Sequence, residues 1–271
     1  MIGVAPFRAE LGIMIRYHVP AVRALPRPLL VCHEPGREAL YPECKRVLVP
    51  TRHDDIRYWS DEQFIDEWAA KLKQECDDVR IIQRDADNPE QRFVPVPYAW
   101  QIWRRWRGRG GIDFTICPRR RKWGHNKNWN GWFTVARELK RAGRTVFAAG
   151  AKETSYLGVQ HDDASWAYGR SLDAAIEAMR QTRLVIATDA GLAHLAILVG
   201  VPLLLIGSNG GLIAPGPATD DKGRVVAPKF WPVRLEEYYQ KANHKNVKIV
   251  FMPDGWENPR AVVKCALELI S

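Results

Sequence analysis

The sequence is poor in cysteine. Its five thiols, Cys32, Cys44, Cys76, Cys117 and Cys265, are odd in number and form no CxxC pair. This excludes a zinc or disulfide framework and makes a reducing cytosol the default. Long apolar runs are also missing. A bilayer span needs roughly 20 apolar residues; the longest candidate, Leu192 to Ile206, is broken by Gly200-Val201-Pro202 and carries His194. The opening residues, MIGVAPFRAELG, have no basic segment ahead of an apolar core, so no secretory signal is expected. The expected location is cytoplasmic, with peripheral contact at the inner membrane surface left open. No solenoid repeat and no low-complexity tail is present. Acidic residues are short as well: 31 Asp and Glu stand against 40 Lys and Arg, a formal net charge of +9 in 271 residues. Such an excess points to an anionic partner, among which nucleic acid, acidic lipid, anionic glycan and nucleotide diphosphate all qualify.

What is present is an alternation of short apolar runs with amphipathic ones, the pattern of an α/β protein. Ile2 to Phe7 is a weak first strand. Pro28 to Cys32, Arg46 to Val49 and Val79 to Ile82 are further strands, and Phe93 to Val96 is a fifth. An amphipathic run through Ile13, Ile15, Val19, Val22 and Leu25 is interrupted by Pro20. Ser60 and Gln63 have the spacing of a capping box ahead of Phe64, Ile65, Trp68, Ala69 and Leu72. The segment WQIWRRWRGRGG, Trp100 to Gly111, is the sharpest change of composition, and the domain boundary is placed near 110. Its Trp103, Arg104 and Arg105 suit a sugar ring, an acidic glycan or a nucleic-acid strand. They equally suit a packed helix end leading into a linker.

From Ile112 the alternation restarts. Asp113 to Cys117 is a strand, PRRRKWGHNKNWNG a basic loop, Trp132 to Ala142 a helix, and Thr145 to Ala148 a strand followed by Gly150-Ala151-Lys152-Glu153. Ser171 opens a helix through Ala175, Ile176 and Met179. Arg183 to Gly207 then reads strand, loop, helix, turn, strand. Leu184 to Ala187 and Leu203 to Ile206 fit buried parallel strands. Thr188 or Asp189 is placed to cap the helix between them, which stops at Gly200 before Pro202. A unit of this kind puts its loop at the carboxyl ends of the strands, where open α/β sheets bind ligands. Val247 to Met252 is a last strand. Asn258-Pro259 starts a terminal helix, taken as 258–271, that can pack back on the N-terminal domain.

The second half resembles the heptosyltransferase-like glycosyltransferases of family 9. The resemblance rests on Asp189-Ala190-Gly191-Leu192-Ala193-His194 followed by Gly200-Val201-Pro202, on Lys127-Asn128-Trp129 ahead of a helix, and on the strand with its GAKE extension. It covers roughly residues 112 to 210 well and the N-terminal half weakly, where Glu10-Leu11-Gly12 is the best match. Position 190 departs from the family pattern, with Ala where a hydroxyl residue is usual.

The resemblance implies a GT-B architecture: two Rossmann-like domains facing across a cleft, an N-terminal acceptor side over 1–110 and a nucleotide-sugar side over 111–257, the former reduced. It implies transfer of a sugar from a nucleotide-diphosphate sugar to a hydroxyl acceptor, with inversion, and without a metal or other cofactor. Positive side chains and a helix N-terminus then stand in for the metal. The implied donor residues are Arg119, Lys122, Lys127, Gly150, Glu153, Asp189, Ala190, Gly191 and His194. Glu10 is the candidate general base, with Asp54, Asp55 and His18 as unranked alternatives. Trp103, Arg104 and Arg105 are candidates for the acceptor, a glycan or a modified DNA base. The competing reading is a nucleic-acid-binding protein with a degenerate GT-B fold and no activity.

Overall fold

The structure, a computed structural model, describes residues 1–7, 11, 14–50, 62–82, 111–119, 128–150, 165–168, 171–207, 212–213, 233–234, 236, 239–240 and 247–271. The chain divides into two compact units, Met1–Ile102 and Trp103–Ser271. The boundary expected near 110, the Phe93 to Val96 strand and the Ser60 cap lie outside the described residues.

The first unit is built on a parallel sheet of β1 (Ile2–Val4), β2 (Leu29–His33), β3 (Lys45–Leu48) and β4 (Asp78–Arg80), in the order β3-β2-β1-β4. The weakest run in the sequence thus becomes a central strand. Its brevity is offset by pairing on both edges, with Ile2 facing Leu29 on one side and Asp78 on the other. The amphipathic run after it is split. Met14–His18 winds as a π-helical turn and α1 (Val19–Ala24) continues as an ordinary helix, with Pro20 in its first turn, where no amide is needed. Helix α2 (Glu62–Leu72) buries Ile65, Ala69 and Leu72 against Ala5, Leu30, Cys32 and Val49.

One polar cluster is sealed inside this unit. Phe7 stacks on His18 at 4.9 Å, and His18 Nδ1 lies 2.6 Å from the Tyr41 hydroxyl. His33 stacks on the other side of Tyr41 with ring centroids 5.7 Å apart. Burial pushes the His18 imidazole down to about 3 and raises the Tyr41 phenol. The unfolded chain, with an ordinary histidine near 6.5, therefore binds a proton that the folded chain refuses between about pH 6.5 and about pH 3. Stability is present above that window and is lost as the pH falls through it. In His18→Gln, acid titration followed by circular dichroism is expected to lose less stability between pH 6 and 4, by about 1.4 kcal/mol per pH unit.

The second unit carries a six-stranded, all-parallel sheet. Its strands are β5 (Ile112–Cys117), β6 (Val146–Gly150), β7 (Ser165–Tyr168), β8 (Thr182–Ala187), β9 (Leu203–Ile206) and β12 (Ile249–Met252), in the order β12-β9-β8-β5-β6-β7. A two-stranded antiparallel ribbon, β10 (Leu212–Ile213) with β11 (Val233–Arg234), stands apart from it. Strand β7 and this ribbon were not anticipated. The segment SWAY has no apolar run, and its place is an outer strand supported on one edge alone.

Helices α3 (Trp132–Arg141), α4 (Leu172–Gln181), α5 (Gly191–Val199) and α6 (Pro259–Ile270) complete the unit. Ser171 caps α4 by accepting from the Ala174 amide at 3.3 Å, and Asn258 caps α6 by accepting from Ala261 at 3.0 Å. Helix α6 buries Val262, Val263, Ala266 and Ile270 in the core of this unit, beside Phe114, Trp132, Leu139, Leu184 and Leu204. Strands β8 and β9 are buried along nearly their whole length, as expected of central parallel strands covered on both faces. Trp129 belongs to this core. Its indole N–H donates to the Trp256 carbonyl at 3.0 Å, and its ring meets Trp132 edge to face at 5.0 Å.

Candidate functional site

The strand order fixes where a ligand can sit in the second unit. From β5 the chain winds outward through β6 and β7, then crosses back to lay β8 on the other side of β5. The helices on the two flanks diverge at that point, leaving a crevice at the carboxyl ends of β5 and β8. Cys117 of β5 pairs with Ala187 of β8. Arg119 and Asp189 each follow one of these paired residues by two positions, so both belong to loops that leave the carboxyl edge of the sheet from adjacent strands. Gly150 ends the neighbouring strand β6.

Arg119 is almost wholly buried, and its guanidinium donates to the Asn128 side-chain oxygen at 3.2 Å. A cation in that position is one whose charge reaches the crevice through little water, where it acts more strongly than on an open surface. Thr188, the first residue past β8, is buried as well, and its hydroxyl has no hydrogen-bond partner among the described residues. Such an orphaned group in a native fold asks for an explanation, and a ligand or an ordered water at the crevice supplies one.

The loop 188–190 corrects one expectation. Neither Thr188 nor Asp189 caps α5. Ala190 is the N-cap residue, extended at φ −155° and ψ 166°, and it has no side chain to cap with. The Asp189 carboxylate instead accepts from the Tyr239 hydroxyl at 2.9 Å. Tyr239 is completely buried, and its ring lies parallel to that of His194, 4.7 Å away and tilted by 5°. His194 is buried one turn into α5. Asp189 and His194, five residues apart, are thus joined through one aromatic residue 45 positions further along the chain. With no side-chain cap, the first amides of α5 keep their tendency to bind an anion, supported by the helix dipole. The far end of α5 matches expectation: Gly200 takes the left-handed conformation at φ 86°, where glycine carries no Cβ penalty.

Of the sequence-derived set, Arg119, Gly150, Asp189, Ala190 and Gly191 end or follow β5, β6 and β8 at their carboxyl ends, and His194 lies in α5 beyond them. Tyr239 is the residue that sequence reading missed. Glu10, Lys122, Lys127 and Glu153, together with Trp103, Arg104 and Arg105, lie outside the described residues. A cavity of about 310 Å³ lies at the opposite end of the sheet, lined by residues that include Arg183, Pro202, Leu203 and Lys248. It sits at the amino ends of the strands, which in this class of sheet is not where ligands bind.

No family profile matches the sequence, and no curated protein matches it. Solved structures do. The E. coli heptosyltransferase WaaC with ADP-2-deoxy-2-fluoro heptose is 14% identical, with a TM-score of 0.54 over 99% of this chain and 99% of that one. A glycosyl transferase family 9 protein from Veillonella parvula is 15% identical, with a TM-score of 0.54 over 99% of this chain and 97% of that one. The dodecameric glycosyltransferase TibC of enterotoxigenic E. coli is 14% identical, with a TM-score of 0.51 over 99% of this chain and 75% of that one. TibC is described as iron-containing, which overturns the expectation of a metal-free, cofactor-free system drawn from the resemblance. Among the described residues no three His, Cys, Asp or Glu side chains converge as metal ligands. At these identities the likeness carries the architecture: the chain has the α/β, GT-B fold of these heptosyltransferase-like glycosyltransferases.

Proposed function

We propose that this protein is a glycosyltransferase that moves a sugar from a nucleotide-diphosphate sugar to a hydroxyl acceptor. The observation that carries the reading is the crevice between β5 and β8. There an uncapped helix N-terminus, a buried arginine and an aspartate held by a buried tyrosine share one rim. A diphosphate needs the first two, and sugar or ribose hydroxyls suit the third. Lys122 and Lys127 are proposed to add charge from the basic loop after β5. Glu153 is proposed to meet ribose hydroxyls beyond Gly150. In the proposed reaction the acceptor oxygen attacks the anomeric carbon with inversion. Its proton passes to a base, for which Glu10 is the candidate. The bond from carbon to the diphosphate oxygen breaks, and the nucleoside diphosphate leaves with the electron pair. Trp103, Arg104 and Arg105 are proposed to face an anionic acceptor, either a glycan or a modified DNA base.

Thermal unfolding in the presence of a panel of nucleotide sugars tests this. ADP-sugars are the first to try, given the ligand named for WaaC. A ligand present at a hundredfold excess over its dissociation constant stabilises by about 2.7 kcal/mol, which shifts the midpoint by several degrees. A second reading, nucleic-acid binding without transfer, is favoured by the +9 charge and by Ala190 in place of a hydroxyl residue. DNA binding together with indifference to every nucleotide sugar would select it.

A further inference from the structure

We propose that Tyr239 is a positioning residue for the donor loop: it fixes the Asp189 carboxylate and the His194 ring together, and so sets the affinity for the nucleotide sugar. The inference rests on the donor-site reading above. Its own basis is the geometry of three side chains from two distant segments. The Tyr239 hydroxyl donates to Asp189 Oδ1 at 2.9 Å, and its ring stacks on His194 at 4.7 Å. Asp189 stands before the first turn of α5 and His194 stands in its second. One rigid aromatic ring therefore grips the loop at both ends.

The loop needs such a grip. Ala190 gives α5 no side-chain cap, so the usual local device that ties a helix start to the chain before it is absent. Among the described residues Thr188 makes no hydrogen bond through its hydroxyl. Tyr239 supplies from outside the loop the restraint that a capping hydroxyl would supply from within it. It does so by helping to order the Asp189 carboxylate, which lowers the entropy lost when a ligand is bound. Glu236, Tyr239 and Gln240 are helical, and the exposed Glu236 and Gln240 are hydrogen-bonded to each other at 3.1 Å. The buried Tyr239 is the contact by which these residues reach the donor loop.

Tyr239→Phe keeps the ring and its stacking and removes the hydroxyl alone, so the fold is retained. Hydrogen exchange of the Ala193 amide, which donates to the Ala190 carbonyl at 3.0 Å, and of the amides that follow it in α5 is read first, because it needs no ligand. Tyr239→Phe is expected to speed their exchange about tenfold, since a hydrogen bond to a charged group is worth at least one decade. Exchange in α6 stays as in the wild type. Asp189→Ala is expected to speed the loop at least as much, and the double variant no further than Asp189→Ala alone, because the bond between the two side chains is already gone. Unchanged loop exchange in Tyr239→Phe, or additive effects in the double variant, overturns the positioning role. Binding of ADP-glucose and the other nucleotide sugars is then titrated. Where the wild type binds, Tyr239→Phe is expected to raise the dissociation constant about tenfold, with a fall in melting temperature no greater than that of Asp189→Ala. Equal affinities, or a melting temperature lowered with affinity intact, also overturn it. A wild type that binds no nucleotide sugar while its loop responds to Tyr239→Phe would remove the functional reading and leave the loop restraint standing.

Discussion

Asp189→Ala is expected to lower sugar transfer about a hundredfold or more, which corresponds to about 2.7 kcal/mol of lost transition-state stabilisation. Two losses combine. The carboxylate in the loop after β8, next to the strand that leads to Arg119, is gone from the ligand's surroundings. The loop also loses its tie to Tyr239. The second loss has its own signature. A buried tyrosine hydroxyl deprived of the carboxylate it donates to costs about 1–3 kcal/mol of stability, so the variant should melt several degrees lower even with no ligand present. Asp189→Asn separates the two effects. The carboxamide oxygen still accepts from Tyr239, so stability is expected to recover while transfer stays low. Donor kinetics and thermal melts on both variants check this. Normal transfer by Asp189→Ala would remove Asp189 from the donor site.

Trp132→Ala has the largest expected effect on stability, about 3–5 kcal/mol. Trp132 is fully buried on α3, touching Trp129 and the Phe114, Leu184 and Val262 core. Its removal opens a void between α3, α6 and the sheet that close-packed neighbours fill only in part. For a unit of this size each kcal/mol is worth about 2–4 °C, so a fall of roughly 10 °C or more is expected in a thermal melt. Trp132→Phe is the informative partner. Among the described residues the buried Trp132 indole N–H has no hydrogen-bond partner, so phenylalanine gives up volume but also removes a buried donor. Its cost should therefore be well under half that of alanine. A Phe variant as unstable as the Ala variant would contradict this account of the site.

Most of the second unit was legible in the sequence because its central strands are continuous apolar runs bounded by turn residues. Leu184 to Ala187 and Leu203 to Ile206 read as strands for the same reason that they are buried on both faces. Gly200 and Asn258 announced a helix end and a helix start through backbone chemistry that acts within a few residues. The candidate site was legible to the extent that it lies in such loops. Arg119, Gly150, Asp189 and Gly191 each follow or end a strand of the recognised pattern.

Tyr239 was not legible, and the reason is physical. It stands in the polar run RLEEYYQKANHK, next to Tyr238, with no periodicity to say which tyrosine turns inward. Its partners are 45 and 50 residues away in sequence, so no local spacing encodes the contact. The cap expected from Thr188 or Asp189 failed for the same cause. A carboxylate at the start of a helix has a default local partner, and only a nonlocal donor explains why it does not use it. Strand β7 failed differently. An outer strand is stabilised by one neighbour, β6, rather than by two apolar faces, and SWAY carries no pattern that separates it from a loop.

The central claim is that the crevice between β5 and β8 holds a nucleotide diphosphate, and a crystal structure with a stabilising nucleotide sugar tests it most directly. The account predicts the diphosphate oxygens within about 3 Å of the first amides of α5, between Arg119 and Asp189, with Tyr239 still bonded to Asp189. A nucleotide bound at the amino ends of the strands near Arg183 and Lys248, with the Asp189 loop empty, would contradict it.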